Sequence, residues 1–127
     1  MSAIFGPAGN CEDFYEAKHK SSLEAPFWVR ENGLGAYEYQ CGKGVKISDE
    51  AAEILGKNAK ECEIALSVHA PYYISLSSTD PEKRDNSIGY ILKTLEIARC
   101  MGAKRIVVHS GSCGDITRKE ALELAKD

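Results

Sequence analysis

Two histidines stand in matching positions. His69 follows the apolar run of "IALSVHAPYYISLSS" (64–78), and His109 closes the apolar run of "RIVVHSGS" (105–112). A neutral imidazole nitrogen is a good metal ligand, so two imidazoles ending neighbouring strands could converge on one metal ion. The plainer alternative is that each is a polar cap, hydrogen-bonded to nearby backbone. The shared placement favours a metal, and spacing alone leaves both readings standing. His19, in "EAKHKSS", has no counterpart of this kind and reads as solvated.

Strands must carry the pair. Alternation sends Ile64, Leu66 and Val68 to one face and Ala65, Ser67 and His69 to the other, so His69 ends its strand on the smaller, more polar face. In "RIVVH" (105–109) the same rule parts Ile106 and Val108 from Val107 and His109. Two further strands are expected, "AIFG" (3–6) and "LGAYEYQ" (34–40). In the second, Tyr37 and Tyr39 face helices, leaving Glu38 and Gln40 to line the opposite face or to pair with a neighbour.

Helix signals separate the strands. After the "PAGN" turn comes a helical stretch whose second part, "SSLEAPFWVRENG", opens on serine caps and closes at Gly33, with Pro26 tolerated near its first turn. Ser48 caps "DEAAEILGKNAKECE", whose first turn is acidic as the helix dipole prefers. Asp80-Pro81 opens a helix in which Ile88, Ile91, Leu92, Leu95 and Ala98 fall at the spacing of one buried face, and Gly102 stops it. Thr117 and Glu120 form a capping box before the last helical stretch. The loops "CGKGVKI" and "SGSCGD" are glycine-rich, and Gly111 and Gly114 read as plain turns.

Four strand–helix units in succession predict an α/β fold with a parallel sheet. The units recur roughly every 30 to 40 residues, and the first turn lacks the G-x-G-x-x-G of a dinucleotide-binding sheet, so a barrel is favoured over a doubly wound sheet. A closed (β/α)8 barrel takes about 250 residues. The 127 residues therefore read as one partial TIM-barrel domain (1–127), the N-terminal half with about four βα units, and the chain reads as a fragment.

Composition narrows the class. With 43% hydrophobic and 28% charged residues and a net charge of −3, the chain is neither a disordered nor a membrane type. No apolar run approaches the roughly 20 residues that span a bilayer, and the N-terminus does not resemble a secretion signal, so a cytoplasmic location is expected. Five cysteines, at 11, 41, 62, 100 and 113, form no C-x-x-C pair, which argues against a disulfide framework and a thiolate zinc knuckle. The mild acidity excludes gripping nucleic acid by charge alone.

The stretches "FGPAGN", "SSLEAPFWVRENGLGAYEYQCGKGV", "VHAPYYISLSS" and "IVVHSGS" together resemble the first half of the endonuclease IV family, among the xylose-isomerase-like barrels. The resemblance covers essentially the whole chain. It implies a zinc-dependent enzyme, manganese being an alternative metal, that cuts DNA 5′ to abasic sites in base excision repair. It makes His69 and His109 metal ligands of a zinc cluster at the barrel mouth. Zinc polarises a phosphoryl oxygen and lowers the pKa of bound water to about 7, so hydroxide is the expected nucleophile and no side chain is singled out as catalytic. Tyr72 becomes the candidate for stacking at the damaged site, with Tyr73, Gln40 and Lys43 as further DNA contacts. The segment "EYQCGKGVKI" is shorter than its counterpart in the better-known nucleases and has no tryptophan. The family's other ligands lie on strands five to eight, so the chain alone is expected to be inactive or nearly so. Two other classes remain open: a metal-dependent sugar isomerase or epimerase on the same barrel, and a non-catalytic half-barrel that self-associates through its open sheet edges.

Overall fold

Parallel pairing starts at the second of the four expected strands. In the computed structural model, which describes residues 3–126, Ala36–Gln40 (β1), Ala65–His69 (β2) and Ile106–Val107 (β3) form one parallel sheet in the order β1-β2-β3. The register sets Glu38 beside Ser67, Gln40 beside His69, and His69 beside Val107. Parallel neighbours need crossovers, which here are helices. Asp49–Glu61 (α3) joins β1 to β2, and Pro81–Met101 (α4) joins β2 to β3; Glu12–Glu16 (α1) and Ala25–Glu31 (α2) precede the sheet and Arg118–Lys126 (α5) follows it.

The expected strand at 3–6 is displaced and irregular. Phe5 O accepts from the Gly35 and Ala36 amides, Pro7 O accepts from Glu38 N, and Gly9 N donates to Glu38 O. Residues 5–9 therefore run along β1 as a fourth row, with a single parallel bridge between Ala8 and Glu38. Pro7 has no amide to donate, so a regular ladder cannot form through it. Gly6 permits the close approach, because a Cβ there would collide with the Ala36 carbonyl. At the other edge only Ile106–Val107 of the expected 105–109 is strand. Its neighbour β2 runs out at Ala70, whose amide bonds Val107 O, and Pro71 ends the ladder.

The helix signals act locally and are all present. Ser21 and Glu24 form a capping box over a 3-10 turn, Ser22–Glu24, that leads into α2. Ser48 Oγ accepts from Ala51 N, Asp80 from Glu82 N, and Thr117 pairs reciprocally with Glu120. Gly102 stops α4 in the left-handed region.

Two hydrophobic clusters back the sheet. Leu55, Val68, Ile97 and Met101 pack between the strands and α3 and α4, while Phe14, Val29, Tyr37 and Ile64 pack under α1 and α2. Burying a leucine as fully as Leu55 contributes about 1.5–3 kcal/mol. The face of α4 turned to the core is not the expected one. Ser87, Thr94, Ile97, Ala98 and Met101 are buried, whereas Ile88, Leu92 and Leu95 are 46%, 60% and 47% exposed. Ser87 and Thr94 can be buried because their hydroxyls bond back to the Lys83 and Tyr90 carbonyls. The helix thus carries two usable stripes, and the more apolar one is left exposed.

Candidate functional site

The end of β2 and the loop just after β3 bring the two histidines together, His109 lying two residues beyond the strand it was expected to end. His69 Nε2 and His109 Nε2 lie 3.0 Å apart, with ring centroids at 4.9 Å. His69 Nδ1 is 2.8 Å from Ala70 O. A carbonyl only accepts, so Nδ1 carries the proton and the Nε2 lone pair of His69 faces His109. This fixed tautomer is the arrangement in which a metal-ligating histidine is held by its other nitrogen. Two ligands on one tetrahedral zinc at about 2.0–2.1 Å are separated by about 3.3 Å, close to the spacing seen here. The pair therefore fits as two donors to one ion. Among the described residues no three His, Cys, Asp or Glu groups are placed to hold a metal.

An open cleft of about 450 Å³ adjoins the pair, lined among others by Tyr72, Tyr73, Ser75 and Gly111. Its loop, 70–79, is tied from several sides. Tyr73 Oη donates to Lys43 O at 3.0 Å and meets the ring of Tyr90 edge-on at 5.0 Å. Ser75 N bonds Ser87 Oγ, Leu76 N bonds Ser110 O, and Ser77 Oγ bonds Ser112 O. Burial and the neighbouring Tyr90 raise the Tyr73 phenol above its ordinary pKa. Tyr72, in contrast, is 61% exposed and meets the Tyr73 ring in a T-shaped pair at 5.6 Å. Of the two adjacent aromatics, one braces the loop and the other is free to meet a ligand.

Gln40 lies at the same end, in register with His69, and is exposed. Glu38 and Ser67 sit one layer below, where the Glu38 carboxylate accepts from Gln40 Nε2 at 2.8 Å and from Ser67 Oγ at 3.2 Å. Lys43 is exposed on the loop after β1, and the contact it makes is through its carbonyl. Gly111 is more than a turn: at φ +115° it lies where the two loops meet, and a Cβ there would press on Ser75 and Ser77. His19 takes no part. It is not simply solvated, since it stacks on Phe14 at 4.9 Å and lies 3.4 Å from Glu24 Oε1. Amides of Lys20 and Ser21, then His19, hold the Glu24 carboxyl below its usual range. Tyr90 and Ser87, which support the loop from α4, carry no local sequence signal for that role.

Among the described residues no helix is long and apolar enough to cross a membrane. The chain is 35% identical over 111 residues to an uncharacterized protein of Methanocaldococcus jannaschii, a match that covers 85% of this chain and 37% of that protein. It is 39% identical over 56 residues to the probable endonuclease 4 of Mycoplasma pneumoniae and 40% identical over 58 to that of Mycoplasma genitalium, matches covering 44% and 46% of this chain and 20% of each relative. Among solved structures it is similar to D-psicose 3-epimerase, with a TM-score of 0.68 at 18% identity over 84% of this chain and 39% of that one. SacUVDE aligns with a TM-score of 0.64 at 19% identity over 82% of this chain and 40% of that one. The chain thus spans about two fifths of the M. jannaschii relative and of these structures. The endonuclease 4 matches agree with the resemblance read from the sequence, and the parallel sheet with outer helices is part of a TIM barrel. Residues 27–127 match the model of the xylose isomerase-like TIM barrel, and the chain belongs to that family.

Proposed function

We propose that the chain is part of a zinc-dependent nuclease of the endonuclease IV type, acting on DNA at abasic sites. The observation that carries this reading is the convergence of His69 Nε2 and His109 Nε2 at 3.0 Å beside the exposed Tyr72. The identity to two proteins described as probable endonuclease 4 supports it. The likeness to epimerases is at 21% identity or below and speaks for the fold alone. His69 and His109 would supply two of the metal's ligands, and zinc there would polarise a phosphoryl oxygen and activate water. The chain's own residues orient and bind. Ala70 O holds the His69 ring, Tyr73 and Tyr90 stiffen the loop, and Tyr72 offers a stacking face to an unpaired base or gap.

Equilibrium binding tests this reading without requiring turnover. The zinc-supplied chain should prefer a duplex with one tetrahydrofuran abasic analogue over the intact duplex. Tyr72→Ala should remove about 10-fold of that affinity, the scale of one base-aromatic stack. Equal binding to both duplexes, together with saturable binding of D-fructose by calorimetry, would overturn the nuclease reading in favour of a sugar enzyme.

A second reading concerns assembly. Exposed Ile4 and Phe5 flank one open edge of the sheet and exposed Val107 the other, and open edges bearing apolar side chains invite pairing with another chain. The isolated polypeptide is expected to self-associate in sedimentation, with a weight-average mass that rises with concentration. A sharp monomer at every concentration would count against it.

A further inference from the structure

We propose that Gln40 is a specificity-determining residue whose side-chain carbonyl accepts a hydrogen bond from a hydroxyl on the substrate's sugar, and that Glu38 is the positioning residue that turns it there. This deepens the nuclease reading and rests on it.

Side-chain chemistry decides the orientation of Gln40. Its amide lies 2.8 Å from Glu38 Oε1, and an ionised carboxylate can only accept, so the NH₂ group must face Glu38 and the carbonyl must face away. Glu38 is itself held, because its second oxygen accepts from Ser67 Oγ on β2. Gly9 lies close to the stem of Gln40, since a Cβ there would stand 3.0 Å from Gln40 Cγ. Gln40 is nevertheless exposed and occupies the last position of β1, in register with His69. The strand ends thus present an oriented acceptor next to the imidazole pair.

An acceptor backed by a carboxylate selects the kind of group it meets. A phosphate oxygen also accepts and carries negative charge, so it gains nothing at Gln40 and is repelled by Glu38. A sugar hydroxyl donates. When a nucleotide loses its base by hydrolysis, the ring-closed sugar gains a hydroxyl at C1′, which the tetrahydrofuran analogue lacks. Gln40 is therefore expected to tell a true abasic sugar from its deoxygenated analogue.

The experiment compares three duplexes, identical except for an intact nucleotide, a tetrahydrofuran or a natural abasic site. Binding is followed by fluorescence anisotropy with zinc supplied and strand integrity checked on a denaturing gel. The chain should bind the natural site about 3- to 10-fold more tightly than tetrahydrofuran, the scale of one net hydrogen bond. Gln40→Met should abolish that preference, bringing the natural site and tetrahydrofuran to equal affinity. Glu38→Gln, which frees the Gln40 amide to flip, should reduce the preference without abolishing it, an effect that a purely structural role for Glu38 would not produce. A preference for both damaged duplexes with no discrimination between them, or discrimination that survives Gln40→Met, would overturn this proposal and leave the nuclease reading intact. No preference for either damaged duplex over the intact one would overturn both.

Discussion

Replacing either His69 or His109 by alanine should weaken zinc binding by at least ~100-fold, because loss of a mere outer-shell partner of a metal ligand already costs about 10- to 100-fold. The geometry makes the two replacements equivalent. Each imidazole lies 3.0 Å from the other through Nε2, so the surviving ring would hold an ion alone, without the chelation that a second, pre-positioned donor provides. The tautomer of His69 is fixed by the backbone at Ala70, so the wild-type site has little rearrangement to make. The measurement is zinc per chain by elemental analysis after dialysis, with affinity from competition against a chromophoric chelator. His19→Ala serves as the control, since His19 stacks on Phe14 and makes its polar contact with Glu24. Variants of the pair that retain zinc as the wild type does would leave the two rings as hydrogen-bonded caps.

Much of this site was legible because it depends on short-range rules. Period-two alternation placed Tyr37 among the helices and Glu38, Gln40, Ser67 and His69 on the opposite face, and the hydrogen bonds among Glu38, Gln40 and Ser67 follow that division. Caps at Ser48, Asp80 and Thr117 were readable for the same reason, since each acts within one turn. What escaped the sequence depends on packing between distant segments. Tyr72 and Tyr73 are adjacent and chemically identical, yet Tyr73 is braced by Lys43 and Tyr90 while Tyr72 is free. Periodicity also misidentified the buried face of α4. It scores apolarity, whereas the sheet took the Ser87–Thr94 side, whose hydroxyls are satisfied within the helix. The first strand failed at Pro7 and Gly6, where backbone chemistry outweighed an apolar run.

Strand β1 should be the weak point of the fold at high pH, because it and the residue after it concentrate ionisable groups that burial keeps neutral. Tyr37 is 2% exposed and its phenol is pushed up to about 12 from 10.0; Cys41 is 7% exposed and its thiol is pushed up to about 11 from 9.0. Burial raises Tyr39 as well, with Cys41 adding to it. Both raised values favour the protonated, neutral form in the folded state. The stability they contribute is therefore complete below the unfolded values, and it is lost as pH rises from 9 to 11 for the thiol and from 10 to 12 for the phenol. A shift of that size corresponds to about 3 kcal/mol for each group, against a total of about 5–15 kcal/mol for an ordinary domain. Urea midpoints taken from pH 8 to 11 should therefore fall steeply above pH 9. Cys41→Ala should flatten the early part of the fall. Tyr37→Phe should flatten the later part, at a cost near neutrality of about 1 kcal/mol from the lost hydrogen bond to Asn10, which is 2.7 Å long. That bond also anchors the segment beside β1, since Asn10 reaches on to Ser22, so ionised Tyr37 would loosen the row that lies close to Gln40. Amide exchange in β1 should accelerate before exchange in β2 as pH rises, after allowance for the intrinsic rate. A uniform loss of protection across both strands, or variants that keep the wild-type slope, would place the alkaline weakness elsewhere.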